Sequence, residues 1–568
     1  MESRFLYIRV QFLINIPLRS FAMNIKTVYI FALLSFLLFP NLFAADKIGI
    51  WMKYEKEFVS NVSYDNPLYD VKKFTVRFIS PAGRVKQING FWDGERSWKV
   101  RFCPDEYGVW SYNTECSDEK NIGLHQQTGT FECVPNDSKL EIYKKGVIVR
   151  PKGDYYLTYS DGTPFFWTAC TAWNGALLST EDEWEIYLKN RVENDYNVIQ
   201  FVTTQWRGGE TNSLGQVAFT GSGRIRINPN FFQHLDEKVD RINAHGLVAA
   251  PVLLWALPFG QARHLSPGYY LPQNEAILLA SYIVARYGGN HVAWILGGDG
   301  EYLKEYEQRW KNIGRGVFGE EHPGIVAQHP HGRSWIGKDY IEEDWLDILG
   351  YQSGHSNVKG TVDWINIGPM SKDWDNIPAK PIINLEPNYE EIGFRISAAD
   401  VRNASYWSLL ATPTAGITYG ANGIWPWLRS KSESIQNHGS LTTGYSPWFE
   451  SINFPGSKQV GYLSNFFKKL EWWRLRPAPE ILVEQPGDTT YNHFIAVSKT
   501  TNHDLIVAYL PNKITIEIYN PLGFVYQGEW FDPVENQYSK AKVESKNRII
   551  KVVSEKNSDM VLVLIKTE

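Results

Sequence analysis

The feature that most constrains this chain is a rhythm between residues 138 and 470. Short apolar runs of strand length recur, and stretches with helical spacing separate them. The runs are Phe165–Cys170, Val198–Thr204, Val248–Trp255, Val292–Gly298, Gly324–His329, Asp347–Ser353, Pro381–Glu386 and Gly416–Gly420. Between them, helical patterns cover Glu181–Asn194, Phe231–His245, Gln273–Tyr287, Tyr302–Arg315 and Ala398–Leu410. Thr180 with Glu183 forms a capping box that starts one helix, and Gly246 ends another as a C-cap. Eight strands, each followed by a helix, predict a (β/α)8 barrel. An open doubly wound sheet would need a Gly-x-Gly-x-x-Gly turn opening a helix after the first strand, and none is present. On either side the period changes to two. Residues 46–137 alternate in Phe74–Ile79 and Trp98–Phe102 around a Pro81-Ala-Gly83 turn, and 471–568 alternate in Asp504–Tyr509, Ile514–Tyr519 and Met560–Ile565. Both flanks read as β-sandwiches, expected to bury apolar surface against the barrel.

Residues 1–45 read as a targeting segment. Asn24-Ile-Lys26 precedes an apolar run, Phe31–Phe43, and Ala44-Ala45 supply small residues for cleavage; Met23 is an alternative start. The run is short for a membrane span, no Cys follows it, and no later stretch is long and apolar enough to cross a bilayer. The expectation is an exported protein, periplasmic or secreted. With 57 Lys and Arg against 62 Asp and Glu, net −5, the chain lacks the basic footprint of a nucleic-acid binder. Four cysteines are too few for a disulfide scaffold; Cys103, Cys116 and Cys133 leave room for one bridge of undetermined pairing. The aromatic content, 22 Trp, 31 Tyr and 29 Phe, is high, and flat rings suit the faces of sugars as well as aromatic cores.

In such a barrel chemistry sits just past the C-terminal ends of the strands. Carboxylates stand directly at a strand end only after the fourth and seventh runs, at Asp299 and Glu386, with Glu301 a competitor to Asp299. Two carboxylates on opposite strands are what glycoside hydrolysis needs: one protonates the leaving oxygen, the other attacks carbon or activates water. Structural carboxylates or metal ligands are the plainer readings. The expected assignment is Asp299 as acid/base and Glu386 as nucleophile, about 5–5.5 Å apart for retention of configuration. Trp294 is the candidate apolar neighbour that raises the acid, and Asn384, Tyr389 or His355 are candidate donors to the nucleophile. The remaining strand-end residues, Trp173, Gln205, Trp206, His329, Gln352, His355, Tyr389, Asn422 and Trp425, are candidate substrate contacts. The tryptophans read equally as sugar platforms or hydrophobic plugs, the histidines as carboxylate partners or satisfied rim residues. No His-Glu-x-x-His or paired Cys-x-x-Cys offers a zinc site, and no Gly-x-Ser-x-Gly offers a serine nucleophile, so neither metal nor cofactor is expected.

Trp294–Asp299, Gln352-Ser-Gly-His355, Asn384–Glu390 and Thr418–Trp425, in this order, resemble the apiosidase-like glycoside hydrolases, family 140 and its relatives. So does Trp173 followed by Thr180-Glu-Asp and Tyr187–Arg191. Phe91-Trp-Asp-Gly94, Trp98–Phe102 and Gly108–Tyr112 are similar to the sandwich that often precedes this barrel. Tyr509-Leu-Pro511 with Trp530–Pro533 resembles the C-terminal domain that follows it, labelled collagen-binding in such proteins. The resemblance implies catalytic acids at Asp299 and Glu386, an oligo- or polysaccharide substrate, and an activity that removes apiose from a pectic side chain. The alternative is a non-catalytic glycan-binding or collagen-binding surface protein. Sugar, linkage and oligomeric state stay open.

Overall fold

A computed structural model describes residues 46–567 except 261, 320–321, 440–442 and 555. The targeting segment read in residues 1–45 lies outside the described residues. Each of the eight apolar runs forms a parallel strand: β1 (Trp167–Thr171), β2 (Val198–Val202), β3 (Val248–Trp255), β4 (Ala293–Gly300), β5 (Ile325–Pro330), β6 (Ile348–Gln352), β7 (Ile382–Glu386) and β8 (Gly416–Ala421). Their order in the sheet follows the sequence, and β1 pairs with β8, Trp167 opposite Gly416 and Cys170 opposite Tyr419, which closes the barrel. Nearly every strand residue is buried, because helices cover the outside and side chains fill the inside. Gln200, for example, donates to the Leu385 carbonyl at 3.1 Å and accepts from the Thr418 hydroxyl at 2.8 Å, tying β2 to β7 and β8 across the lumen.

The helices are α1 (Glu181–Glu193), α2 (Pro229–Ala244), α3 (Gln273–Tyr287), α4 (Glu307–Phe318), α5 (Gly337–Tyr340), α6 (Lys359–Ile367), α7 (Ala398–Ala411) and α8 (Pro455–Lys468). The Thr180–Glu183 capping box is formed as read, and a second one, Ser397–Asp400, starts α7. One departure from the expected alternation is α5, a single turn. Residues 331–346 carry Gly, Pro-flanked loop residues and clustered acids, with no apolar stripe long enough for a helix.

The N-terminal domain packs a five-stranded sheet on a three-stranded one, and the C-terminal domain a six-stranded sheet on a three-stranded one. They are joined to the barrel differently. Apolar contact dominates at the C-terminal side: Leu505, Val507, Tyr509, Phe531, Val561 and Val563 belong to the same buried cluster as the barrel core. Phe466 of α8 stacks on Phe531 with ring centroids 4.7 Å apart. At the N-terminal side the apolar burial is smaller, Phe91 with the partly buried Leu68, Tyr69 and Trp92, and ion pairs add to it. Arg101 grips Asp236 of α2 through both terminal nitrogens (3.0 and 2.6 Å), and Arg286 of α3 grips the same carboxylate at 2.7 Å from both Nε and Nη2. Arg286 also contacts Asp93 at 2.7 Å. The four cysteines are all unpaired thiols. Among the described residues no helix is long and apolar enough to cross a membrane.

Candidate active site

Asp299 and Glu386 stand at the mouth of the barrel, at the ends of β4 and β7. Asp299 occupies a bulge. Gly298 pairs with His329 and Gly300 with Pro330, leaving Asp299 between them unpaired with φ +53. The left-handed conformation costs a non-glycine residue about 1–3 kcal/mol, a form of strain that gathers at functional sites. The neighbouring glycines make the bulge possible. A Cβ on Gly298 would lie 2.7 Å from the Trp255 ring, and one on Gly300 2.4 Å from that of Tyr302.

The bulge also sets a histidine. The Asp299 N–H donates to His329 Nδ1 at 2.9 Å, so the ring proton sits on Nε2. That nitrogen lies 3.2 Å from Glu386 Oε2, a close electrostatic contact without the alignment of a full hydrogen bond. A second histidine approaches from the loop after β6. His355 Nε2 lies 3.0 Å from Glu386 Oε1, while its Nδ1 lies 2.9 Å from the Pro387 carbonyl. Both ring nitrogens face acceptors. Tyr389 stacks on His355 with centroids 4.3 Å apart, and Gly420 on β8 leaves the space its ring occupies: a Cβ there would lie 2.1 Å from it. The Tyr389 hydroxyl accepts from Trp173 Nε1 at 2.8 Å; burial first, then the Glu386 charge, raise its pKa and keep it a phenol.

These surroundings drive the two carboxylates apart. Burial, then the charge of Glu386, raise Asp299 to about 6; Arg207, His329 and His331 oppose this. Burial would also raise Glu386, yet contacts from His329 and His355 outweigh it and hold the group at about 2. Below about pH 6 one carboxyl keeps its proton while its neighbour is ionised, the division of labour that acid–base chemistry requires.

Around this pair the other rim residues fall into place. Trp173, Trp206 and Trp425 are 2, 1 and 7 % exposed and, with Trp255, form a contiguous floor; Trp206 and Trp255 centroids are 4.3 Å apart. Gln205 spends both ends of its amide on the 218–219 backbone, fixing that loop. Glu301 pairs with His331 at 3.2 Å. Gln352 Oε1, Asn422 Nδ2 and Trp255 Nε1 are buried and unspent, although the Asn422 oxygen accepts from Trp425 at 3.0 Å. Two expected helpers lie elsewhere. Trp294 donates to the Pro323 carbonyl at the opposite end of β4, and Asn384 donates to Ser353 and Ser408. Arg207 lies one residue beyond Trp206, past the strand-end candidates, and no motif marks it. Its charge faces both acids, its Nε is buried without a partner, and burial lowers its pKa. Beyond it, His438 lies against Trp425 with centroids 5.0 Å apart and is pushed down to about 4 by burial and the Arg207 charge.

A closed (β/α)8 barrel with two carboxyls of opposed ionisation at the ends of its fourth and seventh strands is an arrangement that glycoside hydrolases use. The sequence comparison names the family. The profile described as "Apiosidase-like, catalytic domain" matches residues 151–474, more than half of the chain, and the protein belongs to that family of glycoside hydrolases. A second profile, a domain of unknown function (DUF5060), matches residues 47–117. Among solved structures, one described as a glycoside hydrolase aligns at TM-score 0.64 and 22% identity over 75% of this chain and 98% of its own. A family 5 glycoside hydrolase from Bacteroides vulgatus aligns at TM-score 0.64 and 20% identity, covering 74% and 94%. A candidate glycoside hydrolase from the same bacterium aligns at TM-score 0.65 and 18% identity over 92% of this chain and all of its own (100%). At these identities they speak for the fold. No curated protein matches the chain.

Proposed function

We propose that this protein is an exported enzyme that cleaves a glycosidic bond of a plant or microbial polysaccharide with retention of anomeric configuration. The observation that carries the mechanism is the convergence of His329 Nε2 and His355 Nε2 on the Glu386 carboxylate at 3.2 and 3.0 Å, beside an Asp299 that burial and the Glu386 charge raise. Glu386, held ionised by His329 and His355, attacks the anomeric carbon. The bond to the leaving oxygen breaks as Asp299 gives that oxygen its proton, and a glycosyl ester forms on Glu386. Asp299, now a carboxylate, takes a proton from the incoming water, whose oxygen displaces Glu386. Trp173 and Tyr389 position the histidine and nucleophile. The unspent Gln352 oxygen, Asn422 amide and Trp255 N–H, with Arg207, supply partners for sugar hydroxyls above the aromatic floor. The family's description directs the first substrate trials to apiose-bearing pectic polysaccharide.

The test is the stereochemistry of the first product. An NMR time course on a competent substrate is expected to show the retained anomer before mutarotation, and an inverted first product would falsify the double displacement. Azide separates the roles: a Glu386→Ala variant would give the inverted glycosyl azide and an Asp299→Ala variant the retained one.

Arg207 holds Asp299 below where burial alone would place it. Arg207→Met therefore raises the acid further, and the alkaline limb of the kcat/KM profile moves to higher pH. An unmoved or downshifted limb would show that this charge is screened from the acid.

A further inference from the structure

Between the barrel and the C-terminal domain lies a second cavity of about 240 Å³. It is built from residues after β6 and β7, the first turns of α7, and the C-terminal residues 491–492 and 511–512. Its lining is unusual in being rich in amides: Asn357, Asn388, Asn403, Asn492 and Asn512. Asn388 is 4 % exposed. Its nitrogen donates to the Asp400 carbonyl at 3.2 Å, while its oxygen is buried without any partner. A buried acceptor left unspent in a cavity wall calls for a donor from whatever fills it.

The chemistry of that occupant follows by elimination. No Lys, Arg or His is among the lining residues, so nothing there balances an anion. Two carboxylates line the wall, and both are engaged. Arg402 holds Asp559 through two bonds of 2.8 and 2.7 Å, and the Tyr509 hydroxyl is shared between Asp559 at 2.9 Å and Asn403 Oδ1 at 2.6 Å. Asp400 caps α7 through Ser397 and accepts from Asn357 at 3.1 Å. A cation therefore finds no free charge. What remains are amides, led by the unspent Asn388 oxygen, and the rings of Trp407 and Tyr491. The Trp407 N–H is spent on the Phe494 carbonyl at 2.9 Å, which leaves the ring's surface as its contribution. Hydroxyls that both donate and accept, on a ring with apolar C–H faces, complement this lining.

We propose that the cavity is a second carbohydrate-binding site that takes one neutral sugar residue, separate from the cleft that holds Asp299 and Glu386. It would let the enzyme hold a branch of its polymer while cleaving elsewhere. The assignment rests on the cavity's own lining and stands whether or not the two carboxylates act as proposed.

The full-length protein is titrated calorimetrically with D-xylose, L-arabinose, D-galactose and D-galacturonate, and crystals are soaked in each. A neutral sugar is expected to bind with millimolar Kd and to show a ring hydrogen-bonded to Asn388 Oδ1. Two variants, Ala399→Phe and Asn512→Phe, fill the space from opposite walls, and each should weaken that event tenfold or more with unchanged thermal midpoint. The proposal is overturned if no neutral sugar binds below about 100 mM, if both fills leave binding intact, if the soaked cavity holds only water, or if galacturonate binds more tightly than galactose.

Discussion

Glu386→Gln is expected to lower kcat on the order of 10⁴-fold or more, and Asp299→Asn roughly 10²–10⁴-fold, with circular dichroism and thermal midpoint preserved. The ranking follows from what each change removes. Glutamine at 386 offers no anion to form the ester, and the two histidines that stabilise the carboxylate gain nothing in its place. Asparagine at 299 keeps the shape and accepts the left-handed backbone, but has no proton to give. A substrate with a good leaving group, such as a nitrophenyl glycoside, should restore the first step in Asp299→Asn and leave Glu386→Gln inactive. The wild-type pH profile carries the same information. With the acid at about 6 and the nucleophile at about 2, kcat/KM is expected to be flat between about 3 and 5 and to fall as pH rises through about 6, because deprotonation removes the acid. Near-normal turnover in either variant would sink the assignment.

Asp236→Ala is expected to cost about 3–5 kcal/mol of stability at pH 7, the usual penalty for removing one partner of a buried ionic cluster. Arg101 and Arg286 are 3 and 0 % exposed, and without Asp236 each loses its two-pronged partner and keeps one other carboxylate, Glu55 at 2.7 Å from Arg101 and Asp93 from Arg286. The pH dependence has a defined sign. Burial would raise Asp236, yet the two guanidiniums outweigh it and hold the acid at about 2, below its ordinary 3.8. This contribution is present in full above about 4 and is lost as pH falls towards 2. Denaturant unfolding at pH 7 and pH 3 should therefore show a smaller difference between wild type and variant at the lower pH. A loss below about 1 kcal/mol at pH 7 would mean that the cluster's Coulomb gain only offsets its desolvation.

The barrel was legible in the sequence because its strands are buried on both faces and read as near-continuous apolar runs between helical patterns. The exception shows the rule: α5 shrinks to one turn where residues 331–346 lack an apolar stripe. Asp299 and Glu386 stood out because each ends a strand, a position that can be counted along the chain. Their ionisation could not be counted. It depends on His329 and His355 converging on one carboxylate from two different strand ends, and on which nitrogen a backbone N–H engages. The ionic joint was equally silent, since Arg101 and Asp236 lie 135 residues apart and neither has a distinctive neighbourhood. Trp294 misled for a related reason. It is close to Asp299 in sequence, but a strand separates its two ends in space, and the indole belongs to the far one.

The stretch Gly297-Gly298-Asp299-Gly300 bears on how relatives of this protein should be sorted. A Cβ on any of its three glycines would lie 2.4–2.7 Å from a neighbouring ring or hydroxyl, from Tyr302 or Trp255. Those glycines are demanded by packing, whatever the chemistry at the mouth. In a lineage that ceased to hydrolyse its substrate, the strained aspartate would be free to drift, and the glycines around it would persist because the aromatic rings leave them no alternative. The glycine pattern is thus a marker of shared architecture, and the acid inside it, together with the glutamate of the seventh strand, is the part by which a lapsed enzyme can be told from a working one.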